Sequence, residues 1–270
     1  MTVADKPIGI FDSGVGGLTV ANAIRQLLPK EQIIYFGDTA HLPYGDKSKE
    51  TIIHYSSRIT EFLLEKECKV IVIACNTASS NAYEEVKKLV KGKSIVINVI
   101  DPVVENVLNE KEYKHIGVIG TKSTIASDTY AKKIHEAKSG ILVSSMATPL
   151  LVPMIEEGFI FDDISNAIIR NYLSRYELGN IEALILGCTH YPIIQNQINK
   201  FYDFNIEIFD SARIVAYHLN KVLQENKLAC DEDMSGLSRF YVSDFTPYFK
   251  IIAKMFFEKD IQLELINFWD

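Results

Sequence analysis

Two cysteines stand in matched surroundings. Cys75 follows the apolar run Val70 to Ala74 and opens Cys75-Asn76-Thr77; Cys188 follows Ala183 to Gly187 and opens Cys188-Thr189-His190. A residue just past a short β-branched run lies at the carboxyl end of a strand. If a helix starts there, its unpaired backbone N–H groups favour anions and lower a thiol pKa. Asn76, Thr77 and Thr189 could bind a carboxylate beside them, although after a single strand such residues are ordinarily turns and caps. Two matched motifs favour chemistry. A thiolate on one face of a carbon can remove a proton while a thiol on the other face returns one, which inverts a stereocentre.

Each thiol also has a candidate helper. Asp12, with Ser13, ends the first apolar run on the same rim as Cys75, and His190 lies two residues past Cys188. The alternatives are a cap for Asp12 and a structural histidine. Gly14, Gly16 and Gly17, with Asp38 after the second strand, invite a rival reading as a dinucleotide-binding turn. Thr19 stands where the third glycine of that fingerprint belongs, so this reading ranks second.

The elements that must position these groups alternate. Strands are expected near Ile8–Phe11, Ile33–Phe36, Val70–Ala74, Ile95–Val99, Ile116–Ile119, Ile141–Ser144, Ala183–Leu186, Ile206–Phe209, Phe240–Val242 and Gln262–Leu265, with amphipathic helices between them. The first helix presents Leu18, Ala21, Ile24 and Leu28 on one face and stops at Pro29. Asp101 before Pro102 reads as the N-cap of another. The chain also repeats weakly: Ile8-Gly-Ile-Phe answers Ile116-Gly-Val-Ile, and Cys75-Asn-Thr answers Cys188-Thr-His. The expected fold class is therefore α/β, with two pseudo-symmetric open α/β domains, mostly parallel sheets and a cleft between them. Residues 1–98 and 209–270 would form the first domain, carrying Asp12 and Cys75, and residues 99–208 the second, carrying Cys188 and His190. The segment from about Phe209 would return to complete the first domain.

Composition narrows the partners. The 270 residues are 47% hydrophobic, with 28 basic against 35 acidic side chains and a net charge of −7. No basic stripe suits phosphate neutralisation, so nucleic acid is not expected. No apolar run approaches a membrane span and the polar segment before Ile8 lacks a signal core, so a cytoplasmic protein with no membrane partner is expected. Cys68, Cys75, Cys188 and Cys230 lack metal-ligand spacing and should be free thiols, with no metal bound.

Four segments carry a family resemblance. Ile10-Phe-Asp-Ser-Gly-Val-Gly-Gly-Leu18, Gly37-Asp-Thr-Ala-His-Leu-Pro-Tyr-Gly45, Ala74-Cys-Asn-Thr-Ala-Ser79 and Gly187-Cys-Thr-His-Tyr-Pro192 resemble, in order, the signature segments of the glutamate racemases. The resemblance implies interconversion of L- and D-glutamate for peptidoglycan synthesis without any cofactor. It implies Cys75 as base toward D-glutamate, Cys188 as base toward L-glutamate, and Asp12 and His190 as their helpers. Substrate contacts would come from Asp12, Ser13, Tyr44, Gly45, Asn76, Thr77, Thr189 and His190, with Thr121 matching Ser13 in the repeat. Asp38 and Glu156 match the family's auxiliary acids, Glu156 being chosen over Glu157 by motif position. A homodimer is expected by analogy. Some relatives carry an N-terminal extension associated with activation by a peptidoglycan precursor; only seven residues precede Ile8 here, so that control is not expected. The nearest rival is a sister racemase for aspartate or another small amino acid.

Overall fold

The computed structural model describes residues 2–245, 247–257 and 261–269. Its described strands are β1 (Ile8–Asp12), β2 (Ile33–Gly37), β3 (Val70–Ile73), β4 (Ile95–Asn98), β5 (His115–Gly120), β6 (Leu142–Ala147), β7 (Ala183–Gly187), β8 (Glu207–Asp210), β9 (Arg239–Val242) and β10 (Leu263–Leu265). They form two sheets, ordered β10-β9-β2-β1-β3-β4 and β6-β5-β7-β8, with every pairing parallel. A parallel sheet covered on both faces needs strands that are apolar on both faces. That is why β1, β3 and β7 read as unbroken apolar runs and are buried throughout. Each fully buried Ile or Val contributes ~1.5–3 kcal/mol.

The internal repeat has a topological basis. The orders β2-β1-β3-β4 and β6-β5-β7-β8 are the same arrangement, so β1 corresponds to β5 and β3 to β7. Cys75 and Cys188 follow equivalent strands. The larger sheet gains β9 and β10 beyond β2. Between β8 and β9 runs helix Ser211–Glu225, which buries Val215, Leu219 and Leu223 and packs against helix Leu18–Leu27.

Two local expectations are corrected. The strand read at Ile206–Phe209 pairs with β7 and stays in the smaller sheet, so the return to the larger sheet starts only after Asp210. Asp101 is not an N-cap: helix Ile100–Glu110 begins before it, and Asn98 Oδ1 accepts from the backbone N–H groups of Ile100 and Asp101. Asp101 instead lies in the first turn, where an acid complements the helix dipole, and pairs with Lys133 at 2.7 Å. Among the described residues no helix is long and apolar enough to cross a membrane.

Candidate active site

The carboxyl ends of the two sheets face one another around a cavity of about 30 Å³. Its lining includes both Cys75 and Cys188, with Ser13, Tyr44, Gly45, Asn76, Thr77, Thr121, Thr189 and His190. All of these were read from the sequence. Leu42, Pro43 and Val152 line it as well and were missed. They are apolar, and only the proximity of Leu42 and Pro43 to Tyr44 could have pointed to two of them.

Close backbone approach joins the halves. A Cβ on Gly16 would lie 2.5 Å from His190 Nδ1 and 2.6 Å from Thr189 Oγ1. The glycine-rich turn thus admits the His190 ring, which accounts for a glycine there without any dinucleotide. On the other side, a Cβ on Gly45 would lie 2.7 Å from Thr121 Cβ. Thr121 also shares a triangle of hydroxyls with Thr77 and Thr124, whose edges are 2.9, 3.1 and 3.0 Å.

Cys75 caps helix Asn76–Val90, its Sγ accepting from the Ala78 N–H at 3.4 Å, and donates to Ser13 Oγ at 3.6 Å. The helix start was expected to lower its pKa. Burial outweighs it: desolvation, reinforced by the charge of Asp12, pushes the Cys75 thiol up to about 12. Asp12 is fully buried and its own pKa is raised by that burial, although His190 and the N–H groups of Gly17, Gly14 and Ser13 pull it down. Asp12 Oδ2 accepts from the Gly14 N–H at 3.0 Å, and Oδ1 has no hydrogen-bond partner among the described residues.

Cys188 belongs to a linear chain of groups. Its Sγ lies 3.7 Å from His190 Nδ1, and His190 Nε2 lies 2.9 Å from Glu156 Oε1. Burial alone disfavours charge on His190, but the hydrogen bonds and negative charges of Cys188 and Glu156 prevail and push its pKa up to about 10. Both ring nitrogens then carry protons, one toward sulfur and one toward carboxylate. Glu156 ends helix Leu151–Glu156 and is half-buried, whereas the adjacent Glu157 is exposed.

Asn76 Oδ1 accepts from Tyr130 OH at 2.7 Å, while its Nδ2 is buried without a partner among the described residues. The orphaned amide donor of Asn76, which lines the cavity, suits a ligand carrying an anionic oxygen, whereas Asp12 lies buried behind the lining. Asp38 is not part of the lining. It is fully buried behind Tyr44, whose OH donates to its Oδ2 at 2.7 Å. The acid matched to the family's auxiliary acids thus lies one residue removed from the cavity, held there by three further donors, His41, Ser243 and Trp269.

Parallel half-sheets meeting at a pair of thiols are the geometry of an amino-acid racemase, and residues 16–219 match the Asp/Glu/Hydantoin racemase family model. The chain belongs to that family. Within it, the chain is similar to glutamate racemases: 42% identical to that of Chlorobium phaeobacteroides and 41% to that of Aquifex pyrophilus, over 97% and 96% of both chains respectively. The crystal structure of glutamate racemase from Francisella tularensis in complex with D-glutamate superposes with a TM-score of 0.92 at 41% identity, covering 98% of this chain and 99% of that one.

Proposed function

We propose that this chain interconverts L- and D-glutamate by proton transfer at Cα between Cys75 and Cys188. The observation that carries the reading is the pair of thiols on equivalent strand ends across one cavity, one wired to His190 and Glu156 and the other beside Asp12. From L-glutamate, Cys188 as thiolate removes the Cα proton and becomes a thiol. Cys75 gives its own proton to the opposite face and becomes a thiolate, and D-glutamate leaves. The reverse reaction exchanges the roles. The elevated Cys75 pKa suits the proton donor, and the His190 imidazolium offsets charge on Cys188. Asp12 and His190 return the thiols to their starting protonation. Asn76, Thr77, Thr121 and Thr189 with Ser13, Tyr44 and Gly45 hold the carboxylates, and Asp12 Oδ1 attracts the ammonium.

A cavity of about 30 Å³ holds little more than water, since ligand sites span roughly 300–1,000 Å³. The halves therefore part to admit substrate and reclose on it. Because β8 stays in the smaller sheet, we divide the chain into domains at 1–98 with 211–270, and 99–210, and place it in the cytoplasm as a homodimer supplying D-glutamate for peptidoglycan synthesis.

Circular dichroism of the purified protein with L-glutamate, in a buffer free of pyridoxal phosphate and metal, tests the reading. The signal should decay to zero for glutamate and hold steady for aspartate. Cys75→Ala and Cys188→Ala should each abolish the decay, and decay in either variant at the native rate would overturn the two-thiol assignment.

A further inference from the structure

The sequence contains one tryptophan, Trp269, and it lies far from every residue singled out by motif. Its indole N–H nevertheless donates to Asp38 Oδ1 at 2.8 Å across 231 positions of chain. Ser243 Oγ, just past β9, donates to the same oxygen at 2.7 Å. With Oδ1 held from that side, Oδ2 faces Tyr44 OH at 2.7 Å. His41 Nδ1 lies 3.0 and 3.1 Å from the two oxygens.

Tyr44 is the member of this hub that lines the cavity. It opens the 3-10 turn Tyr44–Asp46, and the next residue, Gly45, is the one that meets Thr121 of the smaller sheet. The position of Tyr44 therefore governs one wall of the cavity and one contact between the halves. The segment bearing Trp269 is itself well seated. Phe268 packs edge-on to Phe36 with centroids 4.7 Å apart and to Phe62 at 5.7 Å. The indole lies edge-on to His41 at 4.6 Å and to Tyr55 at 5.1 Å.

We propose that Trp269 is a positioning residue for substrate binding: its N–H orients Asp38, Asp38 orients Tyr44, and residues 266–269 act as a strap behind the 42–46 loop. A carboxylate with both oxygens engaged cannot rotate, so Tyr44 keeps one position as the halves close. Losing the indole donor leaves Oδ1 held only by Ser243 and His41 and so loosens the carboxylate, while leaving the thiols untouched. The consequence is weaker substrate binding rather than slower proton transfer. The inference rests on the glutamate racemase reading for its substrate, but the coupling itself can be read without turnover.

The experiment compares wild type, Trp269→Phe, Tyr44→Phe and the double variant. Phenylalanine keeps an aromatic ring in the place that faces His41 and Tyr55 and removes the donor together with part of the packed indole. Trp269→Phe should raise KM for glutamate about threefold to tenfold, the loss expected for one hydrogen bond to a charged group whose other donors remain, with kcat within about twofold of wild type. In the Tyr44→Phe background the same substitution should add nothing, because the two act through one carboxylate. Independent effects in the double variant, or a fall in kcat at constant KM, would overturn the proposal. The emission of Trp269 supplies a readout free of turnover: Tyr44→Phe and Asp38→Asn should each shift it. If glutamate proves inert as substrate while both shifts appear, the functional reading fails and the coupling stands. If glutamate is turned over and neither shift appears, the coupling fails and the functional reading stands.

Discussion

Glu156→Gln isolates the contribution of the Cys188–His190–Glu156 chain. The substitution keeps the shape of the side chain and a hydrogen-bond acceptor 2.9 Å from His190 Nε2, and removes only the charge. A hydrogen bond to a charged partner contributes ~1.5–3 kcal/mol against ~1 kcal/mol for a neutral one. The Glu156 side chain is 22% exposed, so solvent screens part of that difference. A net loss of ~1–1.5 kcal/mol corresponds to about one pKa unit. His190, now held up to about 10, should therefore titrate about one unit lower and remain cationic near neutral pH because Cys188 is still beside it. At neutral pH kcat/KM should fall only about fivefold to tenfold, well short of the loss of a thiol. The equilibrium constant between enantiomers in water is one, so kcat/KM must fall equally in both directions while the two kcat values are free to separate. Circular dichroism from each enantiomer across alkaline pH, with nitrogen-15 spectra of His190, gives both quantities. The alkaline limb of the profile should move down by about one unit. An unchanged limb and unchanged rates in Glu156→Gln, matching those of the exposed control Glu157→Gln, would refute the relay.

Gly16→Ala should fold and bind poorly, with kcat/KM reduced at least tenfold, because its Cβ would press on Thr189 Oγ1 and the His190 ring where the halves meet; native kinetics in that variant would show that the approach is not needed for turnover. Lys69→Met breaks the buried pair with Glu31, 2.6 Å long with both side chains almost fully covered, and strands a carboxylate. It should cost ~3–5 kcal/mol in urea unfolding, and a loss below ~1 kcal/mol would contradict the assigned burial. Burial pushes the Cys68 thiol, beneath β1, up to about 12, so its contribution to stability is complete below the ordinary thiol pKa near 9 and is lost as pH rises through 12. Cys68→Ala should accordingly melt lower near neutral pH yet show a shallower alkaline decline than wild type, and parallel declines would contradict that assignment.

How much was legible in the sequence depended on the range of the interaction. The strands were readable because each is a short apolar run buried on both faces, and β3 and β7 could be matched because the cysteines directly follow them. The pairing of the helix face Leu18, Ala21 and Ile24 with the Ser211–Glu225 helix was not readable, since periodicity shows that a face is buried and not against what. Asp101 is not the cap because the chain is already helical at Ile100: Val99 is the N-cap and Asn98, one residue earlier, supplies the side-chain acceptor, a boundary shift that capping preferences alone do not resolve. The thiol at Cys75 was misread for a different reason: the helix start and Ser13 do favour its anion, but the depth of burial, invisible along the chain, outweighs them. Glu156 was chosen over its neighbour by motif position, and the fold turns that residue toward His190 and leaves Glu157 facing solvent. Trp269 and Ser243 meet Asp38 only through the sheet order that brings β9 beside β2, so no local pattern marks them.

In the proposed mechanism two different thiols serve the two faces of Cα. The most direct measurement is the isotopic content of both enantiomers during the first turnovers of unlabelled L-glutamate in deuterium oxide. Two bases predict D-glutamate carrying deuterium at Cα from the outset, while the remaining L-glutamate stays protiated until product returns through the site. Deuterium appearing equally early in recovered L-glutamate would show one base serving both faces, and would contradict the opposed roles of Cys75 and Cys188.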